Sequence, residues 1–133
     1  MGAHLMGRNS RFQQNLDAKK KQNMEPVSYE VPATTIDEYA TQNDVCPNFI
    51  KIDTEHSEYD IIQGMHDTLN RHHPVISIEV GDSDIEGVPP CKEIIEFMTA
   101  EGYQAYEFRN NGFVEHLIKD RYEYDNLVFK PKG

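Results

Sequence analysis

The stretch Phe49-Ile50-Lys51-Ile52-Asp53-Thr54-Glu55-His56-Ser57-Glu58-Tyr59-Asp60-Ile61-Ile62 contains the change of periodicity that decides the fold. Residues 48–53 are mostly apolar and β-branched, which favours a strand. Beyond them Ile61, Ile62, Met65 and Leu69 recur at i, i+1, i+4 and i+8, one face of a 3.6-residue period. A single helix is therefore predicted over residues 57–71. The polar run Asp53-Thr54-Glu55-His56 then falls at the carboxyl end of a strand, in the turn that feeds a helix.

The alternation continues on both sides. Pro74-Val75-Ile76-Ser77-Ile78-Glu79-Val80 is nearly continuous in apolar residues, as expected of a central parallel strand buried on both faces. A loop rich in Gly, Pro and Asp follows over residues 81–90. Ile94, Ile95 and Met98 predict an amphipathic helix over residues 92–101, with Gly102 placed to cap it. The remainder is strand: residues 103–108, a turn at Asn110-Asn111-Gly112, then residues 113–118 and 126–130. Asn-Gly between two alternating runs signals a hairpin. Upstream, Thr34 or Thr35 is a candidate N-cap for a helix with Asp37 and Glu38 in its first turn. Val27-Ser28-Tyr29-Glu30-Val31 alternates like a short strand. Residues 1–26, with Lys19-Lys20-Lys21 in a row, predict a poorly ordered polar arm before a folded unit over residues 27–133. Strands alternating with helices predict an α/β fold: parallel strands, crossover helices and an antiparallel C-terminal hairpin.

At 133 residues the chain allows one small domain or a part of a larger one. Its net charge of -10 argues against nucleic acid or an anionic membrane as partner. Cys46 and Cys91 match neither a metal pattern nor a disulfide framework, so both are expected to be reduced thiols. His66, His72, His73 and His116 lack ligand spacing, and Tyr122 and Tyr124 are expected as core or surface strand residues. No run approaches the roughly 20 apolar residues of a membrane span, and no apolar signal region opens the sequence. A soluble, cytoplasmic protein is expected.

In an open α/β sheet, ligands gather outside the carboxyl ends of the strands. One end here carries Asp53, Glu55 and His56, with Glu58 just beyond; another carries Glu79, with Asp82 and Asp84 following. Three chemistries suit this cluster. It could be the acceptor side of a group-transfer site, in which Asp53, Glu55 or His56 removes a proton while Glu79, Asp82 and Glu58 hold the acceptor. It could bind a hard cation such as magnesium. Or Glu55 and Glu58 could simply be acids at a helix start, with the rest solvated loop charges. No glycine-rich turn follows a first strand, and there is no P-loop, no Gly-x-Ser-x-Gly elbow and no zinc pattern.

The run from Phe49 to Met65 resembles the signature of FkbM-type methyltransferases: an Ile-Lys-Ile-Asp strand, one residue, Glu-Gly, one residue, Glu, and a helix ending in Gly-Ala or similar. Thr34-Thr35-Ile36-Asp37-Glu38 is similar to the family's Thr-Leu-Asp segment, and Pro74 to Glu79 to its Pro-x-x-x-x-Glu strand. Gly102-Tyr103 and Asn126-Leu127-Val128-Phe129 resemble its closing elements, so the likeness spans residues ~27 to 130, with a weaker echo at residues 7–10. The family's Gly after the Glu is His56 here, which is strained if the turn needs a positive φ.

The resemblance implies the C-terminal half of a class I, Rossmann-like methyltransferase sheet, with residues 49–53 and 75–80 as its fourth and fifth strands and the tail as its antiparallel sixth and seventh. It implies S-adenosylmethionine as methyl donor, a small-molecule or sugar hydroxyl as acceptor, and site positions Asp53, Glu55 and Glu79. Because no glycine-rich cofactor half is visible, the expectation is a truncated or split domain, inactive alone. Its strand 49–53 would be an exposed edge that pairs with an N-terminal half-domain or with a second copy. The alternative is a non-catalytic remnant or interaction module that keeps the half sheet.

Overall fold

The computed structural model describes residues 25–133, so the arm expected over residues 1–26 lies almost wholly outside the described residues. The elements are α1 (Ile36–Gln42), β1 (Phe49–Ile52), α2 (Glu58–Gln63), α3 (His66–His72), β2 (Val75–Val80), α4 (Lys92–Ala100), β3 (Tyr103–Arg109), β4 (Gly112–Glu115) and β5 (Asp125–Pro131). Thr35 is the N-cap of α1: it is extended, and its Oγ1 accepts the Glu38 N–H at 3.0 Å. Residues 27–31 join no strand, and Val27, Tyr29 and Val31 are all exposed. Alternation there reflects no buried face.

The single helix expected over residues 57–71 is two helices, broken at Gly64 and Met65. The break is made by α1. The Asp37 N–H donates to the Gly64 carbonyl at 3.0 Å, and a Cβ on Gly64 would stand 3.0 Å from Thr35. The exposed N–H groups at the start of α3 are taken by the Asp37 carboxylate, which accepts from Asp67 N–H, Thr68 N–H and the Thr68 hydroxyl at 3.0, 2.8 and 2.7 Å. Met65 and Leu69 nevertheless stay on the core side with Ile62.

The five strands form one sheet in the order β1-β2-β5-β3-β4. Only β1 and β2 pair in parallel; the other three ladders are antiparallel. This corrects the expectation of a mainly parallel sheet with an antiparallel end. β5, last in sequence, is inserted between β2 and β3, so β3 points the same way as β2 without touching it. The hairpin β3–β4 also shifts: Arg109 pairs with Gly112, and the two-residue loop is Asn110 and Asn111. Both are left-handed, at φ 50 and 63, which asparagine tolerates better than most residues.

Burial is one-sided. Along β2, Ile76, Ile78 and Val80 are buried while Val75, Ser77 and Glu79 are half-buried, so the expected two-faced burial is not found. Ile76 and Ile78 sit opposite Phe129 and Leu127 of β5, and Ala105 of β3 opposite Phe129. Ile62, Met65, Ile94, Ile95 and Met98 from the helices complete this core, each fully buried side chain stabilising by roughly 1.5–3 kcal/mol. Tyr103 is buried with them and donates its hydroxyl to the Pro74 carbonyl at 2.8 Å. The less buried face carries the polar ends of β1 and β2.

Candidate functional site

Ile52 and Ile78 are the last paired residues of the β1–β2 ladder, so Asp53 and Glu79 come next on adjacent parallel strands. Side chains alternate across a strand, which puts both carboxyls on the face opposite buried Ile52 and Ile78. Hydrogen bonding with the Asp53 carboxyl, then burial, then the negative charges of Asp53, Glu55 and Glu58 push the Glu79 carboxyl up to about 7. The Lys51 ammonium lies 3.6 Å from Asp53, with both side chains exposed.

The turn after β1 is held by Glu58. This carboxylate is buried, and its Oε1 accepts from the Thr54 N–H at 2.9 Å, the Thr54 hydroxyl at 3.1 Å and the His56 N–H at 3.3 Å. Glu55 and His56 are both left-handed, at φ 54 and 75. So the turn does require a positive φ at His56, where the resembling signature has glycine. Left-handed non-glycine residues cost on the order of 1 kcal/mol or more each, and bonds to the charged Glu58 offset this at about 1.5–3 kcal/mol apiece.

The loop after β2 is held by Asp82. Its Oδ1 accepts the Cys91 N–H at 2.7 Å and its Oδ2 the Tyr122 N–H at 2.8 Å, while its own N–H donates to the Tyr122 carbonyl at 2.9 Å. The Cys91 Sγ accepts the Gly81 N–H at 3.2 Å, and burial pushes this thiol up to about 11, which keeps it unreactive at neutral pH.

Glu55, His56, Glu58, Glu79 and Asp82 thus line one cleft of about 240 Å³ together with Tyr124. Asp53 stands outside the lining and reaches the site through Glu79. Among the described residues no three His, Cys, Asp or Glu side chains converge as metal ligands. This cleft does not fit the whole of S-adenosylmethionine. The cleft is below the ~300–1,000 Å³ usual for such ligands, and the four carboxylates in its wall would repel the cofactor's own carboxylate. Gly81 opens no approach for a ligand either, because a Cβ there would meet the Tyr124 main chain at 3.6 Å.

A second polar assembly had no counterpart in the sequence reading. His116 is buried between Glu107, whose Oε2 lies 2.8 Å from Nδ1, and Tyr122, whose hydroxyl lies 2.7 Å from Nε2. The same hydroxyl accepts the Lys119 N–H at 3.0 Å. The partners come from β3 and from the connection between β4 and β5, so no local spacing announces them. Tyr122, expected as a core or surface strand residue, is in the core but lies in that connection.

No helix among the described residues is long and apolar enough to cross a membrane. No curated protein and no solved structure matches the chain. The model of the methyltransferase FkbM domain family matches residues 4–105. The match starts inside the segment expected to be a loose arm and ends within β3, so it includes the strand, turn and helices around Asp53 and Glu79 but not residues 126–129. Spanning most of the sequence and both carboxyl-bearing strand ends, it shows that the chain belongs to the methyltransferase FkbM domain family.

Proposed function

We propose that this chain provides the acceptor side of a methyltransferase, orienting a hydroxyl of a small molecule or sugar and removing its proton. The observation that carries the reading is the Asp53–Glu79 carboxyl pair at neighbouring strand ends, with Glu79 pushed up to about 7. A general base works best when its pKa lies near the working pH. Glu79 takes the proton from the acceptor oxygen, and Asp53 holds it through their shared hydrogen bond. Glu55 and His56, aimed into the cleft by the left-handed turn, contact the acceptor. Glu58 and Asp82 hold the two loops that set this geometry.

S-adenosylmethionine is the family's usual donor, and the reading assigns its binding to an N-terminal half-domain of Rossmann-like type. That half would complete the open edge of β1. Two features support this partner. Among the described residues β1 ends the sheet, with Phe49 exposed, and an unpaired edge templates another strand. Beside it runs a mainly apolar groove of about 460 Å³ lined by Val31, Ile36, Ile50, Ile52 and Ile61.

The test is transfer of labelled methyl from S-adenosylmethionine to a panel of sugars, with the full chain mixed with a separately made N-terminal half of an FkbM domain. Transfer should appear in the mixture and fall about 10²–10⁴-fold in Glu79→Gln, with donor binding unchanged. Transfer indifferent to Glu79→Gln removes it as base. No transfer, together with a Glu79 carboxyl that titrates in the ordinary range, favours an interaction module. A stable dimer of the chain alone that excludes the half-domain makes a second copy the edge partner.

A further inference from the structure

The rim that carries the acidic cleft continues past Tyr124 into a second one. This cleft has a volume of about 370 Å³ and is lined by Arg109, Lys119, Arg121 and Tyr124 among others, with the buried His116 and Tyr122 at its back. Tyr124 belongs to both walls. Asp and Glu outnumber Lys and Arg by 23 to 13 in this chain, yet three cations meet here.

Their pairing differs. Arg109 is bound to Asp125 at 2.5 Å and approaches Glu107 at 3.5 Å, so it neutralises an acid of the same wall. Arg121 meets Asp84 in a two-point contact, at 2.6 and 2.9 Å, with both side chains about two-thirds exposed to solvent. The Lys119 ammonium has no hydrogen bond or ion pair among the described residues, while its backbone N–H is fixed on Tyr122. Lys119 and Arg121 both sit on a loop anchored through Tyr122 to Asp82 and His116, and the Lys119 charge also bears on Glu107 and Asp125. Glu123 and Asp125 also line the cleft; Asp125 is already neutralised by Arg109.

We infer that this second cleft is a subsite for an anionic group, phosphate or carboxylate, carried by the same acceptor whose hydroxyl lies at Glu79. The inference rests on reading the rim as an acceptor site. Tyr124 lines both clefts, so the hydroxyl and the anion would lie on either side of one side chain. An acidic sugar or sugar phosphate fits that description; a small neutral alcohol does not reach both clefts.

Inorganic phosphate is the probe, titrated into the full chain at low ionic strength while backbone amide resonances are followed. Shifts should cluster at residues 109 and 119–125 with a roughly millimolar Kd. They should weaken about tenfold or more in the Lys119→Gln, Arg121→Gln double variant and persist in Lys132→Gln. Unchanged His116 ring resonances in the double variant show that the loop is still folded. In the transfer assay, phosphorylated sugars should have a lower KM than neutral ones, and the double variant should erase that difference with little change in kcat. Shifts spread evenly over Lys51, Lys92, Lys130 and Lys132, or no shifts at all, overturn the subsite. Phosphate binding tests the anion cleft and Glu79→Gln tests the base, so either can fail without the other.

Discussion

The two ends of one sheet rim treat their carboxylates in opposite ways. Where β3 ends and β5 begins, acids have nitrogen partners: Glu107 with His116 and Arg109, Asp125 with Arg109, and nearby Asp84 with Arg121. Hydrogen bonds from those partners hold Glu107 and Asp84 below the usual carboxylate range, and Arg109 does the same for Asp125 against its burial. Where β1 and β2 end, Glu79 shares its hydrogen bond with another acid and is pushed up. Composition does not decide this, because both ends are rich in Asp and Glu. Neighbours decide it. Charge neutralised by a partner serves structure, while an unrelieved carboxyl is left ready to exchange a proton.

The largest effect expected from breaking this contrast is the 10²–10⁴-fold loss of transfer in Glu79→Gln, about 3–5 kcal/mol of barrier. Next is Asp82→Ala, which strips the acceptors from two backbone N–H groups and should lower stability by about 3 kcal/mol in urea denaturation. His56→Gly should relieve the left-handed turn and raise stability by about 1 kcal/mol, read as a higher midpoint in the same experiment.

A pH dependence sharpens the contrast. Glu79 titrates near 7 in the fold against 4.5 when free. The protonated form therefore favours the fold, a contribution complete below pH 4.5 and lost as pH rises through about 7. Compared with wild type, Glu79→Gln should gain in Tm between about pH 5 and about pH 8, and Asp53→Asn should flatten the wild-type loss. The smallest effect belongs to Lys92–Asp120, a 2.8 Å pair whose aspartate is almost wholly exposed: Asp120→Ala should leave the urea midpoint where it is in wild type.

Much of this architecture was legible because it is written in short-range pattern. The change from alternation to a 3.6-residue period at Asp53 placed β1 and the helices after it, and Ile94, Ile95 and Met98 placed α4. The Thr35 cap and the cap glycine Gly102, at φ 88, were readable for the same reason. What escaped depends on partners distant in sequence. Gly64 sits in a continuous apolar pattern and breaks the helix only because residues 35–37 of α1 press on it. The insertion of β5 beside β2 is invisible in Leu127 and Phe129, whose alternation suits any strand with one buried face. At the candidate site, sequence brought Asp53, Glu55, His56, Glu58, Glu79 and Asp82 to one rim. It could not tell which of them bind backbone, because Glu58 and Asp82 differ from Glu79 only in where main-chain N–H groups point.

The position of β5 has a consequence for how the protein is made. Among the described residues the β1–β2 pair and the β3–β4 hairpin are joined in the sheet through β5, which is also the last of these five strands to be synthesised. During translation the two pairs can form early, but the sheet and its core remain in two pieces until residues 125–131 have emerged. Folding must then close contacts such as Ile76 with Phe129 across more than fifty residues, a slow kind of step. Until that moment the edges of β2 and β3 are open, and a ribosome stalled over the last strand would hold out a chain with two adhesive edges and no core between them.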